Sequence, residues 1–184
     1  LTRGSNPRYI CPLMSSPLPD LLDPWRAVAG RSNFSGRLPL SGLSRLREML
    51  HDDSGEVAYR LAFWRDEGQR AVVTGEVRAS LTVQCQRCLG SFGYEVNAKV
   101  ALALVHGMDE ARQLPEQYDP LMVTESLIRP GDLIEEELLL SLPQIPMHDA
   151  EYCTAAVEAA IAETDPDVAE AHPFAVLSSL KREH

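Results

Sequence analysis

Between residues 57 and 104 the chain alternates apolar and polar side chains with a two-residue period through three successive segments, and this limits the fold more than any other feature. A period of two puts every second side chain on one face of an extended chain, whereas a helix would repeat its apolar positions every three to four residues. Each segment therefore reads as a half-buried strand. Val57, Tyr59, Leu61 and Phe63 share the inward face of the first. Val73, Val77, Ala79, Leu81, Val83 and Cys85 share that of the second, with Thr74, Glu76, Arg78, Ser80, Thr82 and Gln84 opposite. Phe92, Tyr94, Val96, Ala98, Val100, Leu102 and Leu104 face inward in the third, with Glu95, Asn97 and Lys99 outward. The connections, Arg65-Asp66-Glu67-Gly68-Gln69 and Cys85-Gln86-Arg87-Cys88-Leu89-Gly90, are short enough for hairpins, so the three strands form an antiparallel meander.

Helical signals flank this centre. Asp23-Pro24-Trp25 reads as an N-cap followed by proline at the first helical position, giving a short helix that Gly30 ends. Leu43, Leu46 and Leu50 share one face of a second helix over 44–50. His106 to Pro120 reads as a polar loop, and Leu121 to Val123 as a short further strand. Asp132 with Glu135 has the spacing of a capping box, which predicts a helix to about Leu142, stopped by Pro143 and Pro146, with Glu135, Glu136 and Glu137 on a solvated face. The expected class is α+β: an antiparallel β-meander flanked by short helices. Residues 1–13 read as a disordered extension, with translation starting at Met14, and 14–153 as a single globular domain. Residues 154–184 read as a flexible acidic linker, rich in Ala, Glu and Asp, carrying a short apolar anchor. Phe174, Val176, Leu177 and Leu180 in that anchor are candidate partner-binding residues, suited to lying in a groove on another protein or on their own domain.

Charge separates the ends of the chain. Residues 1–50 carry +4, 51–105 carry −1 and 106–184 carry −13, within a net charge of −10. Gripping a phosphate backbone normally takes a basic stripe, so the acidic C-terminal part suits cationic protein partners and would repel RNA. Arg31, Arg37, Arg45 and Arg47 are the candidate RNA-binding residues if the N-terminal third offers a local basic patch; the competing reading is an ordinary solvated face. No stretch reaches the roughly 18 to 20 consecutive apolar residues of a membrane-spanning helix, and no apolar run follows Arg3 and Arg8, so neither a membrane nor a secretory leader is expected. Four cysteines are too few for a disulfide framework, which fits a reducing cytoplasm.

Cys85 and Cys88 sit at a hairpin tip, where two thiolates can converge on one metal. Tetrahedral zinc needs two more ligands, and His148 and Cys153 are the suppliers, making a Cys3His structural site. Cys85 reads equally as a core residue of its strand. A thiol oxidoreductase using Cys85 and Cys88 is disfavoured, because such motifs place the reactive cysteine at a helix N-terminus and this one lies in a β-turn. The chain has no G-x-S-x-G, H-E-x-x-H, phosphate loop or G-x-G-x-x-G, and His51, His106, His172 and His184 are isolated. No catalytic residue and no small-molecule substrate is assigned.

Taken together, Thr82 to Cys88, Leu138 to Pro143 with Pro146, His148 to Cys153 and Pro173 to Lys181 resemble, in order and spacing, the YceD family of bacterial large ribosomal RNA subunit accumulation proteins. The resemblance runs from about Met14 to Lys181. It implies a cytoplasmic, non-enzymatic protein that supports the synthesis, processing or stability of 23S rRNA, with ribosomal or ribosome-assembly proteins as partners and the rRNA reached directly or through them. Relatives carry C-x-x-C at the hairpin and cysteine-containing segments nearer the C-terminus, some with a second C-x-x-C. Here that second half is reduced to His148 and Cys153, yet the shared pattern still points to a metal site, with zinc as the cofactor. The alternative from another class is a zinc-binding RNA-binding module that uses the N-terminal arginines.

Overall fold

The computed structural model describes residues 17–149 together with Tyr152 and Cys153. The 1–13 extension, Met14, the acidic linker and the Phe174 to Leu180 anchor lie outside the described residues. A five-stranded sheet runs in chain order, β1 (Asn33–Pro39), β2 (Glu56–Arg65), β3 (Ala71–Gln84), β4 (Ser91–Val105) and β5 (Asp119–Met122). The first four strands pair antiparallel and β5 adds parallel to β4. The three long strands are the expected meander, with the expected inward faces. Val77 stands opposite both Tyr59 and Ala98, and Val83 stands opposite Phe92.

Helices cover one face of this sheet, which makes the chain α+β. α1 (Pro24–Ala29) packs on β2 and β3, α2 (Ser44–Arg47) on α4, and α4 (Pro130–Ser141) on β3 and β4. Phe63, Leu61, Leu81, Val77, Ile134 and Leu138 are fully buried between the layers. Each such side chain stabilises the fold by about 1.5–3 kcal/mol relative to leaving it in water. Phe34 from β1 meets Phe63 edge-on, with ring centroids 5.8 Å apart at 86°. At Gly75 the strands β2 and β3 approach so closely that a Cβ would run into the Arg60 carbonyl, so only glycine fits there.

α1 forms as its sequence directs: the Asp23 carboxylate accepts the Arg26 N–H at 3.0 Å, Pro24 opens the helix and Gly30 caps it. Besides β5, which spans Asp119–Met122 where Leu121 to Val123 is expected, four elements differ from expectation. β1 has only Phe34 buried and contains glycine and proline, so it shows no alternation; its pairing with β2 makes it a strand. α2 stops at Arg47 rather than near Leu50. A short helix, α3 (Met108–Ala111), interrupts the loop after β4.

The fourth difference is at α4. Its N-cap is Arg129, three residues before the Asp132 of the capping-box reading, and no side chain caps it. Asp132 lies in its first turn, and Glu135, expected on a solvated face, is 5% exposed. Its carboxylate accepts the N–H groups of Arg45 at 2.7 Å and Leu46 at 3.0 Å. Glu135 therefore caps α2 from across the layer.

Candidate metal centre

The β3–β4 tip is shaped by its backbone. Cys85 N–H donates to the Gly90 carbonyl at 2.8 Å, Leu89 N–H returns to the Cys85 carbonyl at 2.9 Å, and Leu89 takes a left-handed φ of 61°. This turn puts the Cys85 and Cys88 sulfurs on the same side. Pro143 and Pro146 end α4 and send the chain back toward the tip, where Gln86 N–H donates to the Pro146 carbonyl at 2.9 Å. Cys153 N–H then bonds the Asp149 carbonyl at 3.2 Å, a helical turn that aims Cys153 at the hairpin.

These two segments bring together all four residues the sequence singled out as ligands. Their donor atoms lie within 4.8 Å of one another. Cys85 Sγ is 3.7 Å from Cys153 Sγ, and Cys88 Sγ is 3.7 Å from His148 Nε2. A tetrahedron with Zn–S near 2.3 Å and Zn–N near 2.0–2.1 Å has edges of about 3.5–3.8 Å, so the spacing suits that ion. His148 Nδ1 is buried with no hydrogen-bond partner among the described residues, and the ring lies 5.4 Å from that of Phe92. Nε2, the nitrogen that faces the Cys88 sulfur, is the ligand atom His148 offers, while Nδ1 points away from it.

The thiols are pulled in opposite directions. Burial opposes the Cys85 thiolate, but the backbone N–H groups of Cys88, Arg87 and His148 and the Cys88 thiol outweigh it and draw its pKa down to about 6. Burial and then the neighbouring sulfurs of Cys85 and Cys88 push Cys153 up to about 11. Three sulfurs this close cannot all be thiolates unless positive charge sits among them. Cys85 is wholly buried, whereas Cys88 is half-exposed.

The arginine candidates are not gathered in one place. Arg37 lies on edge strand β1 and pairs with Glu56 at 3.4 Å, and Arg45 on α2 pairs with Glu136 at 2.7 Å. Arg47 ends α2, and Arg31 occupies the turn between α1 and β1 with a φ of 49°. Phe174, Val176, Leu177 and Leu180 fall outside the described residues. Sequence reasoning missed the Pro146 carbonyl and the Phe92 ring as supports of the site, since a carbonyl carries no sequence signal and Phe92 reads as one more inward strand residue. No helix among the described residues is long and apolar enough to cross a membrane.

Residues 73–181, more than half of the chain, match the family described as large ribosomal RNA subunit accumulation protein YceD. The matched stretch contains all four candidate ligands. The chain is similar to the large ribosomal RNA subunit accumulation protein YceD of Haemophilus influenzae, at 29% identity over 172 residues, covering 90% of this chain and 97% of the relative. No solved structure matches the chain.

Proposed function

The chain belongs to the family of the large ribosomal RNA subunit accumulation protein YceD, and from that premise we propose that it is a non-enzymatic cytoplasmic factor in the synthesis, processing or stability of 23S rRNA. It acts through contacts with ribosomal or ribosome-assembly proteins, reaching the rRNA directly or through them. The acidic 154–184 segment, with Phe174, Val176, Leu177 and Leu180, engages a basic partner. Cys85, Cys88, His148 and Cys153 hold a zinc ion that fastens the chain after α4 to the β3–β4 tip.

The observation that carries this reading is the convergence of three cysteines and one histidine from two segments 60 residues apart. A Cys3His set fills all four positions of tetrahedral zinc and leaves none for water or substrate, which is the signature of a structural ion. A zinc-fastened scaffold without a reactive centre suits an assembly factor.

The test pairs a cell with a tube. In a strain lacking the protein, the large-subunit peak of a sucrose gradient should shrink, and the wild-type gene should restore it. Protein purified without chelator should carry close to one zinc, falling below about 0.2 equivalents on C85S or C153S substitution. An unchanged subunit profile in the deletion strain removes the ribosomal role. Wild-type protein below about 0.2 equivalents removes the zinc.

A further inference from the structure

Grooves that differ in charge lie on the face of the sheet away from the helices and at the end of β2, while Val72 and Ala103 on that face are themselves buried. Two are lined by both signs: one holds Arg37 and Arg78 with Glu56 and Glu95, the other Arg60 and Arg78 with Glu76. A third, of about 540 Å³, is lined by Arg31, Asn33, Ala62, Phe63, Trp64 and Arg65, with no carboxylate. In a chain of net charge −10 that is a local anomaly.

Trp64 is 37% exposed, and its indole N–H donates to Thr74 Oγ1 at 2.9 Å, so the ring is held in place across the sheet rather than free to turn. Beside it, Asn33 and Ala62 stand opposite each other on β1 and β2 and line the groove with small side chains. Arg31 and Arg65, like Arg26, Arg47, Arg87 and Arg129, have no carboxylate partner among the described residues, but only these two line one groove together. Arg65 spends one donor on the Gln69 carbonyl at 2.6 Å, which fixes its guanidinium and leaves the others available.

We infer that this groove binds single-stranded RNA, one base stacking on Trp64 while Arg31 and Arg65 take the adjoining phosphates. A fixed, partly exposed indole beside small side chains suits a planar base, and two cations without a carboxylate partner suit the backbone. Tryptophan and arginine also mark protein interfaces, but an acidic protein surface would call for charge spread over a wider area than two residues. The groove lies before residue 73, outside the stretch that matches the family, and is separate from the sulfur cluster. The inference deepens the proposed ribosomal role by giving the rRNA a direct contact.

The test uses the full chain, a labelled short oligouridylate at low salt, and poly-L-glutamate as a protein-like competitor. Trp64→Ala should weaken oligouridylate binding about tenfold, the scale of one lost base stack, and Trp64→Phe should keep most of it. Arg31→Gly is the decisive variant. Arg31 has a φ of 49°, a backbone region that glycine occupies freely, so this change removes the cation without lowering the melting temperature. It should weaken binding and reduce the salt slope by about 0.7, and Arg65→Gln should do the same. Wild-type affinity in Trp64→Ala and Arg31→Gly, no binding by the wild type, or loss of poly-L-glutamate binding alone each overturns the groove. Those outcomes leave the subunit profile of the deletion strain untouched, so the ribosomal role stands or falls separately.

Discussion

Val83 and Cys85 stand two residues apart on the inward side of the same chain, and neither is exposed by more than 1%. What buries them differs. Val83 belongs to the continuous apolar core and lies opposite Phe92 on β4. Cys85 lies outside that core, against the Cys153 sulfur and under the backbone N–H groups of the tip. One is held by the removal of apolar surface from water, a non-directional effect that many neighbours share. The other is held by directed contacts to a few polar atoms, which fail together if one ligand is missing. The sheet should therefore tolerate the loss of the metal, and the metal site should survive a weakened sheet.

The largest blow to this contrast is Phe63→Ala. Emptying the space against Phe34 should lower stability by about 3–5 kcal/mol in denaturant titration. Zinc per folded chain should stay near one; a parallel fall in zinc would show that the two regions are a single cooperative unit. Chelation comes next. Removing zinc held at a hundredfold excess over its dissociation constant should cost about 2.7 kcal/mol. Amide exchange should accelerate at 85–90 and 146–149 while the β2–β3 amides stay protected, and uniform acceleration would erase the distinction.

A third substitution tests a directed contact within the apolar layers. Glu135→Ala leaves the Arg45 and Leu46 N–H groups without their acceptor and should cost about 1–2 kcal/mol, with metal content unchanged. The smallest effect is at the opposite hairpin, β2–β3, which has no metal ligand. Burial opposes the charge on Asp66, but the backbone and side chain of Arg70 more than offset it, holding its carboxyl below the usual value of 3.8. Its folded pKa is depressed, so its contribution is complete above about pH 4 and is lost as pH falls further. Asp66→Asn should lower the melting temperature by about 3 °C at neutral pH, and the gap to wild type should close in acid. A gap that persists below that range would place the effect in packing and not in charge.

The long strands were readable because burial on one face imprints a period of two on the residues themselves. α1 was readable because Asp23, Pro24 and Gly30 act on neighbours within one helical turn. β1 was not, since Asn33 to Pro39 is a strand by virtue of what β2 offers it. Glu135 misled for a related reason: consecutive carboxylates look like a solvated surface, and only the position of α2 turns one of them inward. For the metal centre, residue type named the ligands. Their proximity was beyond the reach of spacing, because Cys88 and His148 are 60 residues apart.

By itself, then, the sequence determined the meander, the face each strand buries, the charge asymmetry and the four side chains able to bind a metal, all properties set by residue identity and short-range periodicity. The tertiary structure alone decided the edge strands, the burial of Glu135, the closing of 146–149 and Cys153 onto the hairpin, and the meeting of Trp64 with Arg31. Each of these depends on which distant segment becomes a neighbour, and long-range packing is chosen by the whole chain at once.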